Sequence, residues 1–200
     1  MMRLITATAA VTLMACAHAD TATTAGQSKP TTPPAASTGA PSDAKTISTF
    51  TERLRQYSEN HKKLEKSLPP LPKETSPDVI EKHQRALEAL LKQARASAKR
   101  GDLFDPETEK LLRRVLAQTF SGPEGAKLKA TIMDEIPTTV KLAVNSRYPD
   151  EVPVSTMPPQ VLAMLPKLPE ELEYRFIGAR LILVDVHAHT IADYIENVLP

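Results

Sequence analysis

Eighteen prolines in 200 residues set the boundaries of what this chain can fold into. Each removes a backbone donor and biases the residue before it away from the α region, so helices and strands begin or end at prolines. With no tryptophan and only four Phe and four Tyr, the chain is rich in breakers and poor in large core side chains. A TIM barrel or a doubly wound α/β enzyme, which needs more length, more glycine and longer β-branched runs, is disfavoured. The 25 Lys plus Arg balance 24 Asp plus Glu. No global field therefore points to nucleic acid or to an anionic membrane.

The N-terminus reads as an address. Arg3 precedes an uncharged stretch from Leu4 to Ala15 whose apolar run is too short to span a bilayer as a helix, the pattern of a secretory signal over residues 1–19. Two cleavage rules compete there. Leu13-Met14-Ala15-Cys16 resembles the bacterial lipobox, in which the cysteine becomes the lipidated first residue, although Met14 is an unusual occupant of its place. Ala17-His18-Ala19 before Asp20 fits a small-x-small site that would release a soluble periplasmic or secreted protein. That the single cysteine falls at this spot favours lipidation of Cys16, making the lipid anchor the chain's membrane contact. Neither cut leaves a thiol for catalysis, and one cysteine forms no internal disulfide. Residues 20–45 are Thr, Ala, Ser, Pro and Gly with few charges, the composition of a disordered tether that prolines 30, 33, 34 and 41 bias toward extended polyproline II.

The expected fold is α+β: a mainly helical region over 46–135, a helical hairpin plus two shorter helices, then proline-rich loops and a small antiparallel sheet over 136–200, folded as one unit. Ile47, Phe50, Leu54, Tyr57, His61, Leu64 and Leu68 alternate three and four apart, a heptad seam that ends at Pro69-Pro70. The seam suits packing within the chain, and a homodimer through it is the alternative. Ser76-Pro77-Asp78 starts the partner helix, expected to run past Arg95 toward Gly101 with Val79, Ile80, Leu87 and Leu91 in one stripe. Asp105-Pro106-Glu107 starts the third, and residues from Pro123 to Asp134 form a fourth. Interleaved charges along these helices, Lys62, Lys63, Arg113 and Arg114 among them, match solvated faces rather than a nucleic-acid surface. His61 and His83 read as packed histidines, since no His-x-x-x-His or Glu-x-x-His pair accompanies either.

Beyond Pro137, Val140, Leu142 and Val144 alternate with Lys141, Ala143 and Asn145, which predicts a short strand. Between Pro149 and Pro169, Pro158-Pro159 can open one or two helical turns over Val161 and Leu165. Leu172, Tyr174 and Phe176 predict another strand, Gly178-Ala179 a tight turn, and the run from Arg180 to Val186, apolar on both faces, the central strand. Residues 190–199 space Ile191, Tyr194, Ile195 and Val198 as a short helix would, with a third strand as rival.

Gly101-Asp102-Leu103-Phe104-Asp105-Pro106, Asn145-Ser146-Arg147-Tyr148-Pro149, Ser155-Thr156-Met157-Pro158-Pro159, Leu165-Pro166-Lys167-Leu168-Pro169 and Leu172-Glu173-Tyr174-Arg175-Phe176-Ile177-Gly178 together resemble an uncharacterised family of exported bacterial proteins, over about residues 50–200. The resemblance implies export and a shared domain, and no activity. The closing strand pair followed by Asp185 also resembles small periplasmic proteins of nickel and cobalt homeostasis.

One motif carries chemistry. Asp185-Val186-His187-Ala188-His189 is similar to the first metal motif of amidohydrolases and histidinol-phosphatase-type phosphoesterases, where strand alternation puts Asp, His and His on one face around a divalent ion. Asp185, His187 and His189 are thus candidate ligands for Zn or Ni. In those families the motif opens a long barrel, whereas only a few residues follow it here. There is no Gly-x-x-x-x-Gly-Lys loop and no Gly-x-Ser-x-Gly elbow, and no acid/base pair has a physical reason for a shifted pKa. The resulting expectation is a non-catalytic exported envelope protein that binds or scaffolds, with another envelope protein as partner and residues 149–169 as a preordered surface. The alternative is a periplasmic metal-binding protein or metal-dependent hydrolase.

Overall fold

The computed structural model describes residues 41–135, 140–150, 152 and 157–199. The expected signal, Cys16, most of the tether, and Ser155-Thr156 lie outside the described residues. The described chain is α+β, with helices first and a three-stranded antiparallel sheet in the order β1-β2-β3 near the C-terminus.

Helix α1 (Pro41–Glu65) buries Phe50, Leu54, Tyr57 and His61 at the spacing of the heptad seam, while Ile47 stays 40% exposed. The seam is thus used inside the chain. Helix α2 (Pro77–Ala94) buries only Leu87 and Leu91, and Val79 and Ile80 at its start are exposed. It stops earlier than the sequence suggests because Arg95 is held by tertiary bonds. Its guanidinium donates to Asn145 Oδ1 and the Ala192 carbonyl, and its own carbonyl accepts from Asn145 Nδ2. Helix α3 (Pro106–Thr119) starts as expected, with Asp105 Oδ1 accepting from the Thr108 amide at 2.9 Å and Asp105 Oδ2 paired with Arg53 of α1 at 2.8 Å. Its Leu112 and Leu116 are fully buried. Burial of this kind stabilises by about 1.5–3 kcal/mol per side chain. Helices α4 (Gly122–Glu135) and α5 (Pro159–Leu162) follow.

Strands β1 (Leu172–Ile177) and β2 (Arg180–Asp185) form the expected hairpin around Gly178, whose φ of 56° needs no Cβ. The central strand packs on both faces. Leu181 and Leu183 join Phe50, Leu54, Phe104, Leu112 and Leu116 in the main core, and Ile182 and Val184 meet Tyr148, Val152 and Ile191 on the other side.

Two sequence expectations fail in the C-terminal half. Residues 140–145 are not a strand: a turn at 144–146, with Asn145 at φ 62°, leaves the segment out of the ladder, and it meets the sheet through packing of Val140 and Leu142 and through bonds such as Asn145 N to Ile191 O, with an isolated Arg147 to Thr190 bridge just beyond it. The helix expected after Thr190 is instead β3 (Thr190–Ile195), paired antiparallel to β2. Its apolar spacing fits either form, and the open edge of β2 decides in favour of the ladder, which satisfies backbone donors and acceptors along β3.

Candidate metal centre

Tyr57, His61 and Glu65 follow one another at intervals of four on α1, hence along one face of its C-terminal half. Facing them is the turn between β2 and β3. Asp185, the last residue of β2, shapes that turn with its own side chain: Oδ1 accepts from the Ala188 amide at 2.9 Å, an Asx-type closure. Ala188 is itself fully buried, packed with Leu87 and Leu91 of α2 and flanked by Leu64 and Leu68, which holds the turn against α1.

The other carboxylate oxygen reaches across to the helix. Asp185 Oδ2 accepts from the Tyr57 hydroxyl at 2.7 Å and stands 2.6 Å from His61 Nδ1, all three side chains being buried. An ionised carboxylate only accepts, so Nδ1 is the protonated nitrogen. Nε2 of His61 then points the other way. It is buried and makes no hydrogen bond, with Glu65 Oε2 at 3.4 Å. Glu65 Oε1 in turn lies 3.1 Å from His187 Nδ1, and the His61 and His187 rings meet edge to face at 5.3 Å between centroids. One donor atom each from His61, Glu65 and His187 falls within 4.8 Å of the others. The site is graded in depth: the His61 side chain has no exposure, Glu65 has 32% and His187 has 40%.

Burial, the strongest single influence on His61, disfavours its charged form, but the Asp185 hydrogen bond and charge, with Glu65 and Glu171, outweigh it and raise its pKa. Burial first, then the Asp185 charge, pushes the Tyr57 phenol well up, so it remains a donor. Arg95 stacks over the Tyr57 ring with its guanidinium carbon 4.9 Å from the centroid. A further carboxylate, Glu171, is fully buried with neither oxygen hydrogen-bonded, and its Oε2 stands 3.8 Å from Lys62 Nζ.

The three residues singled out in the motif are not brought together as one donor set. The motif is a turn and not the end of a strand, since β2 stops at Asp185, residues 186–189 turn, and His189 takes φ 54°. Strand alternation therefore does not apply. Asp185 orients His61, His187 joins the cluster, and His189 faces away, edge-on to Tyr148, with Nε2 3.4 Å from Asp150. Burial and then the Arg147 charge lower the His189 pKa. His61 and Glu65 were missed. The available signal was His61-Lys62-Lys63-Leu64-Glu65, an i, i+4 pair in the order His then Glu, on the buried seam of the helix.

The surface expected in residues 149–169 includes a groove of about 860 Å³ lined by Met157, Leu162, Leu165, Leu168 and Tyr174, with Leu162 and Met164 about half exposed. Its lining is mainly apolar, and the Tyr174 hydroxyl already donates to the Pro166 carbonyl. Among the described residues, no helix is long and apolar enough to cross a membrane. Compared with protein-family models, curated proteins and solved structures, the chain matches none.

Proposed function

We propose that this protein is an exported binding protein for one divalent transition-metal ion of the Zn or Ni class, held by His61, Glu65 and His187. The observation that carries this reading is the His61 ring. Its Nδ1 is engaged by Asp185, and its buried, unbonded Nε2 faces a carboxylate and a second imidazole. Leaving a buried polar atom unpaired costs free energy that a bound ion would recover. A carboxylate bonded to the far nitrogen of a ligand histidine also fixes its tautomer and strengthens it as a donor.

The donor chemistry supports the choice of ion. Two imidazoles and one carboxylate suit Zn, Ni or Co, whereas Mg and Ca prefer oxygen alone. A tetrahedral ion with bonds of about 2.0–2.2 Å sets its donors roughly 3.3–3.6 Å apart. His61 Nε2 stands 3.4 Å from Glu65 Oε2 and His187 Nδ1 3.1 Å from Glu65 Oε1, each pair near that spacing through a different carboxylate oxygen, and one donor atom from each residue lies within 4.8 Å of the others. The export half of the reading is supported by Arg3, the uncharged run to Ala15, and the competing sites at Cys16 and Ala19.

Calorimetry of the purified mature chain with ZnCl₂ and NiCl₂ is expected to give one ion per chain, abolished in His61→Ala and in His187→Ala and retained in His189→Asn. No heat with either ion, or unchanged heats in the first two variants, overturns the metal reading. Mass spectrometry of the N-terminus tests export. An acylated Cys16 marks the anchored lipoprotein and a free Asp20 the soluble form, while an uncut Met1 in the mature pool overturns both.

A further inference from the structure

The proposed centre offers three protein donors, and a tetrahedral ion takes four. Among the described residues, His61, Glu65 and His187 are the group of His, Cys, Asp and Glu side chains close enough to share an ion. The nearby carboxylates are engaged or set apart. Asp185 has both oxygens bonded, one to Ala188 N and the other to Tyr57 and His61. Glu171 lies outside the group and has Lys62 Nζ at 3.8 Å. The depth gradient gives the missing position a direction: His61 closes the inner side completely, whereas Glu65 and His187 are each about a third or more exposed.

We infer that an ion held by His61, Glu65 and His187 keeps one coordination position open toward solvent, on the side of Glu65 and His187, and takes a small anionic ligand there. The inference rests on the metal reading above. A divalent ion with a single coordinated carboxylate retains one net positive charge in its inner shell, so an anion is favoured over a neutral ligand at the fourth place. An ion held there would acidify a water at that place, and the exposed side of Glu65 and His187 would admit the water or a competing anion. A closed structural site would instead surround the ion with four protein donors.

The test uses the mature chain loaded with Co²⁺, whose visible d–d bands report coordination, and sodium azide as the probe anion. Azide is expected to change the bands in a saturable way, with one azide per bound Co²⁺. The Glu171→Gln variant, which keeps the side chain's shape, should respond like the wild type. Bands that azide does not alter overturn the open position. If azide then acts only in Glu171→Gln, Glu171 is the fourth ligand and the site is closed by the protein. No d–d bands on adding Co²⁺ is a different failure, one that removes the metal reading itself along with this inference.

Discussion

Two buried aspartates join the helical half of this protein to its sheet, and they do so with different partners. Asp193 on β3 has no exposure and accepts from the backbone amides of Gly101, Leu103 and Phe104 at 2.9–3.2 Å and of Tyr194 at 2.8 Å. Asp185 at the end of β2 is equally buried, but its cross-chain partners are side chains, Tyr57 and His61. Backbone donors belong to a loop and lead no further, so Asp193 is a clip. A histidine has a second nitrogen, so an aspartate that fixes one side of the ring also aims the other. The same residue type, at the same depth and in the same sheet, holds a loop in one place and orients a histidine ring in the other.

The comparison predicts effects of different kind and size. Asp193→Ala would remove the acceptor shared by the Gly101, Leu103 and Phe104 amides, and should cost about 3–5 kcal/mol of stability, read as a large drop in thermal midpoint. Zinc affinity measured below that midpoint should be unchanged. Asp185→Asn should fold but bind zinc about 10- to 100-fold more weakly, since the orienting carboxylate is lost while its shape is kept. If Asp185→Asn were as destabilising as Asp193→Ala and left affinity intact, both residues would be clips and the distinction would be gone.

A smaller effect distinguishes them by pH. The folded pKa of His61 is raised above the usual value of 6.5. Its protonated form therefore contributes stability that is complete below about pH 6.5 and is lost as pH rises through the folded value. In metal-free protein with chelator present, urea midpoints should fall as pH rises across that window, and Asp185→Asn should flatten the slope. A slope that persists in Asp185→Asn would assign the titration to another group. The smallest change is expected for His189→Asn, because asparagine tolerates the left-handed backbone at this position. Stability should stay within about 0.5 kcal/mol and zinc affinity should not move. A loss of affinity there would return His189 to the site.

Where the determinants are local, they can be read along the chain. The start of α3 is written in Asp105 and Pro106, and the β1 to β2 hairpin in alternating Leu172, Tyr174 and Phe176 with a glycine whose φ is positive. Gly101, toward which the sequence suggests α2 runs, takes a left-handed backbone at φ 89°, and it closes the loop around Asp193 and not the end of α2. The end of α2 depends on Arg95 bonding to Asn145, fifty residues away. The candidate site follows the same division. His187 stands out in its motif, whereas its partner Glu65 is 122 positions upstream and Asp185 is 124 from His61.

By itself the sequence determined where α1 and α3 bury their apolar faces, where α3 starts, and that β2 is the central strand, because prolines, turn residues and apolar periodicity act over a few neighbouring residues. Tertiary structure alone decided that residues 190–195 pair as a strand and that the apparent strand at 140–145 remains irregular. It also decided that a histidine on a packed helical seam meets an aspartate from the sheet. An imidazole in an apolar seam reads the same whether or not a carboxylate waits across the core. Its role follows from the partner that folding brings to it, over a separation that local pattern does not reach.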